Sequence, residues 1–261
     1  MKGESIFQIL LPAAKRTSIK IMGMISSLMS SILRKATITA KTQLTPNTYH
    51  IQLQGETLKQ ANYVPGNFIR LFVGKDKDLA FKDNLRSYSV WKLVKISGTM
   101  DMAVCKHANG PGSSWAQECQ VGDIISFSWK RGDFIVDNRA DDYLLIGDLS
   151  ALGHLYEINR NLPKGKPIQS IIYNADKADF FADIDGTYPF QFYQFADDAS
   201  EQLLHQIQPL ISNLTPDSMV YVGGDSRVCI AVNHYFRKEL KWDSRRIKTK
   251  PFWNPNKTGL E

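Results

Sequence analysis

Between Ala36 and Arg139, short runs in which apolar and polar residues alternate are separated by turn-forming residues. The segments ATITAKTQL and TYHIQLQG flank Pro46-Asn47 and predict a first hairpin, and NFIRLFVG begins just after Pro65-Gly66. RSYSVWKLV, MDMAVCKH and DIISFSWK continue the series, so six strands fall within about 100 residues, a spacing that predicts an antiparallel barrel rather than an open sheet. After Arg139 the pattern changes to strand, helix, strand. YLLIG reads as a compact apolar strand, DLSALGHLYEINRNL as a helix, PIQSIIYN and YPFQFYQF as strands, ASEQLLHQIQPLIS as an amphipathic helix, SMVYVGG as a strand and DSRVCIAVNHYFRKEL as a helix. Strands alternating with helices predict a parallel, nucleotide-binding type of sheet. The fold expected is therefore β followed by α/β, with an extension over residues 1–35, a barrel over 36–139 and a parallel-sheet domain over 140–261 that ends in a basic tail.

Composition narrows the chemistry. The chain has 261 residues, enough for two cores, and 43% hydrophobic with 22% charged residues is near the soluble average. No run reaches the ~18 consecutive apolar residues of a membrane span. Ile6 to Leu11 forms a short apolar stretch, but Gln8 and Pro12 interrupt it and no cleavage site follows, so the first 35 residues read as a weakly amphipathic extension. Three scattered cysteines, Cys105, Cys119 and Cys229, suit neither a disulfide framework nor a metal pair, and they are too few for the four thiolates of a usual iron–sulfur cluster. A reducing cytoplasm and an organic redox cofactor are expected, with no metal site. The net charge of +6 is concentrated in the first 35 residues and between Lys238 and Lys257, without the interleaved aromatics of an RNA-binding strand, so no nucleic-acid partner is expected.

The first chemical signal is Arg86-Ser87-Tyr88-Ser89. A flavin dinucleotide needs a guanidinium for its pyrophosphate, an aromatic platform beside its ring system and a small hydroxyl near its redox-active nitrogen, and this string offers all three. On a strand, Arg86 and Tyr88 point to one face and Ser87 and Ser89 to the other, so a local bend, or use of Ser89 backbone groups, would be needed to aim them all at one ligand. An ordinary strand with an exposed Arg is the competing reading. The second signal is HANGPGSSWAQECQVGD, in which Gly110, Gly112, Ser113, Ser114 and Trp115 can turn the chain and open a short helix, offering N–H groups to a pyrophosphate that FMN lacks.

R-x-Y-S, then His107 followed by Gly-Pro and Ser-x-Trp-Ala, then Gly-Asp at the end of the next domain's first strand, resembles the siderophore-interacting protein family, flavin-dependent ferric-siderophore reductases of ferredoxin-reductase-like fold. The match runs from about Ala36 to the carboxyl end. The resemblance implies FAD on the barrel, held by Arg86, Ser87, Tyr88, Ser89, His107, Gly110, Gly112, Ser113, Ser114 and Trp115. It also implies NADH or NADPH on the parallel sheet, near Gly147, Asp148, Ser150 and Ala151 and near Gly223, Gly224 and Asp225. Asp148 followed by Ser150 is equally a good helix N-cap, and the two readings are compatible. The chain departs from the family at Trp91, where Arg is common, at Trp129-Lys130-Arg131-Gly132, and at Phe252-Trp253-Asn254-Pro255. These departures bear on substrate choice more than on flavin binding.

The implied activity passes electrons from the nicotinamide through FAD to siderophore-bound Fe(III), with release of Fe(II) and with no side chain required as catalytic acid or base. A bulky, anionic ferric siderophore would be drawn by Lys130, Arg131, Arg245, Arg246 and Lys248, with Lys250 nearby in sequence. Asn174 to Asp179 follows the second strand of the sheet and offers one cation, Lys177, among carboxylates, which leaves NADH and NADPH equally open. His50, His154, His205 and His234 are isolated and read as structural. A general flavin or ferredoxin-type reductase with another acceptor, and a non-catalytic siderophore-binding flavoprotein, are the alternatives. The expected state is a monomer.

Overall fold

The computed structural model describes residues 33–74, 84–106, 110–195 and 199–256. Its strands fall into two sheets. The first is antiparallel and contains β1 (Arg34–Thr45), β2 (Thr48–Gln54), β3 (Phe68–Phe72), β4 (Leu85–Ser89), β5 (Lys92–Val94), β6 (Thr99–Cys105) and β7 (Ile124–Lys130), in the order β4-β3-β7-β1-β2-β6-β5. The two edge strands, β4 and β5, are separated only by Val90 and Trp91, so the sheet has to curl until its edges approach, which gives the expected barrel-like form. The hairpin at Pro46-Asn47 is present, with Thr45 paired to Thr48. Alternation fills the interior: Ile51 and Leu53 are fully buried between half-buried His50 and Gln52, and they pack with Ile38, Ile69, Leu71, Met100 and Phe127. RSYSVWKLV, expected as one strand, is two, because the chain turns at Val90-Trp91 and the Trp91 indole is drawn into the second half of the molecule.

The second sheet is parallel, with β8 (Tyr143–Asp148), β9 (Ile168–Asn174), β10 (Phe192–Gln194), β11 (Met219–Asp225) and β12 (Ile247–Trp253) in the order β10-β9-β8-β11-β12. Both faces of its centre are covered, as parallel sheets require. Tyr143, Leu145 and Tyr221 pack with Leu152, Leu155 and Ile158 of one helix (Leu149–Asn161), while Leu144, Ile146, Val220 and Val222 pack with Leu203 and Val232 of two others (Ala199–Ile207 and Ser226–His234). The strand order reverses between β8 and β11, which makes their carboxyl ends the topological switch point where such sheets bind ligands. β12, which the sequence reading took as part of a basic tail, is an edge strand paired along β11. YPFQFYQF is strand only over β10, and the helix expected through Ser212 leaves α geometry at Ile207, just before Pro209. Among the described residues no helix is long and apolar enough to cross a membrane.

Candidate flavin site and domain seam

β4 keeps an unbroken register with β3 as far as Ser89, directly before the turn at Val90-Trp91, and its side chains meet two neighbouring parts of the molecule. Toward one face, Arg86 and Tyr88 border the amino end of α1 (Pro111–Glu118). The Tyr88 hydroxyl donates to the Gly112 carbonyl at 3.3 Å, and its ring lies 5.5 Å from the buried Trp115. A Cβ on Gly112 would stand 2.8 Å from the Tyr88 oxygen and 3.5 Å from Arg86 Cγ, so any larger residue would push the Tyr88 hydroxyl aside. On the far side, none of the described residues lies within 4 Å of where a Cβ on Gly110 would be. Pro111 fills the first helical position, where its missing N–H costs nothing, and the Ser114 N–H is already turned to the Gly110 carbonyl at 3.0 Å. The Gly112 and Ser113 amides at this end thus stand beside the Arg86 side chain, whose guanidinium donates to the Leu85 carbonyl at 2.6 Å, and the Tyr88 phenol, with Ser113 half-buried and Ser114 exposed. That donor set fits a dinucleotide pyrophosphate. Ser87 lies opposite Arg70 in the β3–β4 register, and His107 lies outside the described residues.

Toward the other face, Ser89 reaches across to the parallel-sheet half. Its Oγ is 2.8 Å from Nδ1 of His154, whose Nε2 is 3.2 Å from the Phe134 carbonyl. His154 lies on α2 (Leu149–Asn161), 1% exposed, edge-on to Phe134 and Phe252. Burial and then the neighbouring Lys250 ammonium push its pKa well below the ordinary 6.5, more than the Phe134 and Gly66 carbonyls offset, so the ring is neutral. Read from sequence as an isolated structural histidine, His154 is a partner of the flavin-type string, and nothing in one dimension connects positions 65 residues apart.

A second polar seam lies alongside. The Tyr63 hydroxyl donates to Glu157 at 3.0 Å, Arg160 bonds Glu157 at 2.7 Å and also Asp183 and the Trp91 carbonyl, and the Trp91 indole N–H donates to Asp183 at 2.8 Å. Burial raises the Glu157 pKa, against the opposing pull of Arg160. Trp91, where the family resembled in sequence commonly has Arg, is therefore an anchor between the two sheets.

At the switch point the sequence-assigned residues meet, but largely with one another. Asp148 Oδ1 accepts from the Ser150 N–H at 2.8 Å and the Ser150 hydroxyl at 2.5 Å, and Oδ2 accepts from the Asp225 N–H at 2.8 Å and the Trp253 indole at 2.7 Å. One carboxylate thus caps α2 and ties together the ends of β8, β11 and β12. Asp225 caps the helix Ser226–His234 through the Arg227 N–H and pairs with the Arg227 guanidinium at 2.6 Å. Gly147, Ala151, Gly223 and Gly224 are buried, and a Cβ on Gly223 would stand 2.9 Å from that of Ala151, so the glycine lets α2 close on the sheet.

The basic residues separate into two groups. Phe68 of β3 pairs with Ser89 on one side and Lys130 on the other, which sets Lys130 in the same row of the barrel as Ser89. The Phe68 ring also carries the Lys250 ammonium 3.6 Å from its centroid and lies 3.4 Å from where a Cβ on Gly132 would stand, next to exposed Arg131. Lys248 is directed inward, donating to the Ile135 carbonyl at 2.9 Å. Arg245 and Arg246 are not brought to this cluster. They precede β12, at the end of the parallel sheet opposite the switch point, where Arg245 pairs with Asp243 at 2.6 Å and Arg246 with Asp217 beside a groove of about 200 Å³.

Residues 140–256 match the family described as Siderophore-interacting protein, and residues 35–135 match an oxidoreductase FAD-binding domain. An NADPH-dependent ferric-chelate reductase of Escherichia coli (strain K12) is 24% identical over 153 residues, 57% of this chain and 58% of that protein. The ferric vibriobactin reductase ViuB of Vibrio cholerae serotype O1 is 25% identical over 182 residues, 66% of this chain and 65% of that protein. The chain therefore spans less than two thirds of the length of these curated relatives. The siderophore-interacting protein SipS from Aeromonas hydrophila superposes with a TM-score of 0.73 at 19% identity, over 86% of this chain and 92% of that one. Phthalate dioxygenase reductase does so at 0.68 and 16%, over 89% and 72%, which shows the ferredoxin-reductase-like fold. The parallel-sheet half thus matches the siderophore-interacting protein family, the barrel matches an oxidoreductase FAD-binding domain, and the fold is the one seen in the siderophore-interacting protein SipS.

Proposed function

We propose that this protein is an FAD-dependent reductase that carries electrons from NADH or NADPH to Fe(III) held by a siderophore. The observation that carries this reading is β4, one strand whose Arg86 and Tyr88 border the amino end of α1 while its terminal Ser89 reaches the seam with the nucleotide-type sheet. Bound FAD would supply the exchange between a two-electron donor and a one-electron acceptor. Arg86 and the Gly112 and Ser113 amides would hold the pyrophosphate, Tyr88 would flank the ring system, and the nicotinamide nucleotide would lie at the ends of β8 and β11. There its contacts fall to backbone and hydroxyl groups, because the Asp148 and Asp225 carboxylates are engaged within the protein. Lys130, Arg131 and Lys250, gathered around Phe68 in the row of Ser89, form the cationic rim that would attract an anionic ferric siderophore. The names of the Escherichia coli and Vibrio cholerae relatives support the acceptor class.

Stopped-flow absorbance separates the two half-reactions. Reversing charge at Lys130 and Arg131 together should slow oxidation of the reduced flavin by an anionic ferric siderophore and leave reduction by the nicotinamide nearly intact, and 1 M salt, where screening shortens to about 3 Å, should imitate the substitutions. Equal rates in variant and parent would remove these residues from the acceptor site. Faster turnover with a ferredoxin than with any ferric chelate would favour a general reductase instead.

A further inference from the structure

The Ser89–His154 contact has a direction. A carbonyl oxygen only accepts, so Nε2 of His154, 3.2 Å from the Phe134 carbonyl, carries the ring proton. The ring is neutral, being buried beside the Lys250 ammonium, and its Nδ1 is left as a lone pair. At 2.8 Å the Ser89 hydroxyl must therefore donate to Nδ1, and what it offers to any other neighbour is its own lone pairs.

A flavin's redox-active nitrogen is a hydrogen-bond acceptor when oxidised and carries a hydrogen after two-electron reduction, so a hydroxyl beside it can favour either state, depending on where its proton points. We propose that His154 is a positioning residue that holds Ser89 as an acceptor toward the flavin, so that the protein binds the reduced cofactor in preference to the oxidised one. This rests on the proposed placement of FAD along Arg86–Ser89. The Phe134 carbonyl fixes the ring, the ring fixes the hydroxyl, and the hydroxyl reads the redox state. In free water Ser89 would rotate to donate to the oxidised nitrogen, and the preference would vanish.

The test is the midpoint potential of FAD bound to the full chain, measured by equilibration with a reference dye. His154→Phe keeps an aromatic ring between Phe134 and Phe252 but removes the acceptor, freeing the Ser89 hydroxyl to turn; it should lower the potential by about 30 mV, a tenfold loss of preference for the two-electron-reduced form. His154→Asn keeps an acceptor where Nδ1 stood while giving up the bond to Phe134, and should stay near the parent. Equal potentials in parent and Phe variant, or equal shifts in the Phe and Asn variants, would overturn the proposal. Ser89→Ala separates this from the underlying reading: if it moves the potential and His154→Phe does not, FAD lies where proposed and His154 only packs, whereas if Ser89→Ala moves nothing, the placement itself fails and the proposal with it. Nitrogen-15 NMR of the unaltered chain gives a readout independent of variant folding. His154 should show a protonated Nε2 and a bare Nδ1 at pH 7 to 8, with and without FAD; a protonated Nδ1 would contradict the proposed direction.

Discussion

At the corner between β4 and α1, Arg86 and Tyr88 border the amino end of a helix, and none of the described residues crowds Gly110. At the ends of β8 and β11, by contrast, Asp148 and Asp225 spend their oxygens on backbone amides, Ser150, Trp253 and Arg227. Both places carry glycine beside polar residues, and in sequence both read as ligand-binding turns. The difference lies in what is left over: at the barrel corner the first amides of α1, Gly112 and Ser113, have no acceptor within the helix, whereas at the switch point the carboxylates are taken up inside the protein. Substitutions at the first should therefore change cofactor binding, and substitutions at the second should change stability.

The largest effect is expected at Asp148. Asp148→Ala removes the α2 cap and leaves the Trp253 and Asp225 donors without their acceptor, which should cost about 3 kcal/mol of unfolding free energy. Urea denaturation measures it; a loss below about 1 kcal/mol, together with weakened nucleotide binding, would make Asp148 a ligand contact and erase the contrast. Arg86→Ala should do the reverse, weakening FAD retention by about 1.5 to 3 kcal/mol, the scale of a hydrogen bond to a charged group, with little change in the denaturation midpoint of the FAD-free chain. An unchanged flavin titration would shift the pyrophosphate assignment wholly to α1.

How much of this was legible follows the same division. R-x-Y-S and Gly-Pro-Gly-Ser-Ser stand out in the sequence because each lies on one strand or one turn, and the structure sets the two side by side at Gly112. The seam was not readable. Ser89 to His154, Trp91 to Asp183 and Tyr63 to Glu157 join positions 65, 92 and 94 apart, and they are fixed by how two sheets pack. β12 was missed for another reason: Lys248 and Lys250 give it the polarity of a tail, yet Lys248 donates to a backbone carbonyl and Lys250 lies over the Phe68 ring, so charged residues occupy positions where apolar ones signal a strand. The same packing explains why Arg245 and Arg246, adjacent in sequence to these lysines, end up at the opposite end of the sheet.

The seam also titrates. The folded pKa of His154 is depressed below its ordinary 6.5, so below that pH the unfolded chain binds a proton that the native one refuses. The contribution present above about pH 6.5 should be lost as pH falls toward the folded value, at up to about 1.4 kcal/mol per pH unit for one proton. Unfolding free energies of the parent and His154→Phe should diverge in this sense between pH 7 and 5; parallel profiles would mean that the buried ring protonates freely. The smallest effect is expected at Arg245 and Arg246, whose ion pairs are largely surface contacts. Replacing both by Ala should change stability by less than about 1 kcal/mol and leave siderophore reduction unaltered.

The central claim, that this chain is a conduit from nicotinamide through FAD to siderophore iron, is tested most directly by the visible spectrum of the FAD-loaded protein under anaerobic conditions. Addition of NADH or NADPH should bleach the flavin band, and a ferric siderophore added next should restore it with formation of two Fe(II) per flavin. A band that neither nucleotide bleaches, or one that stays bleached in the presence of the ferric siderophore, would contradict the account.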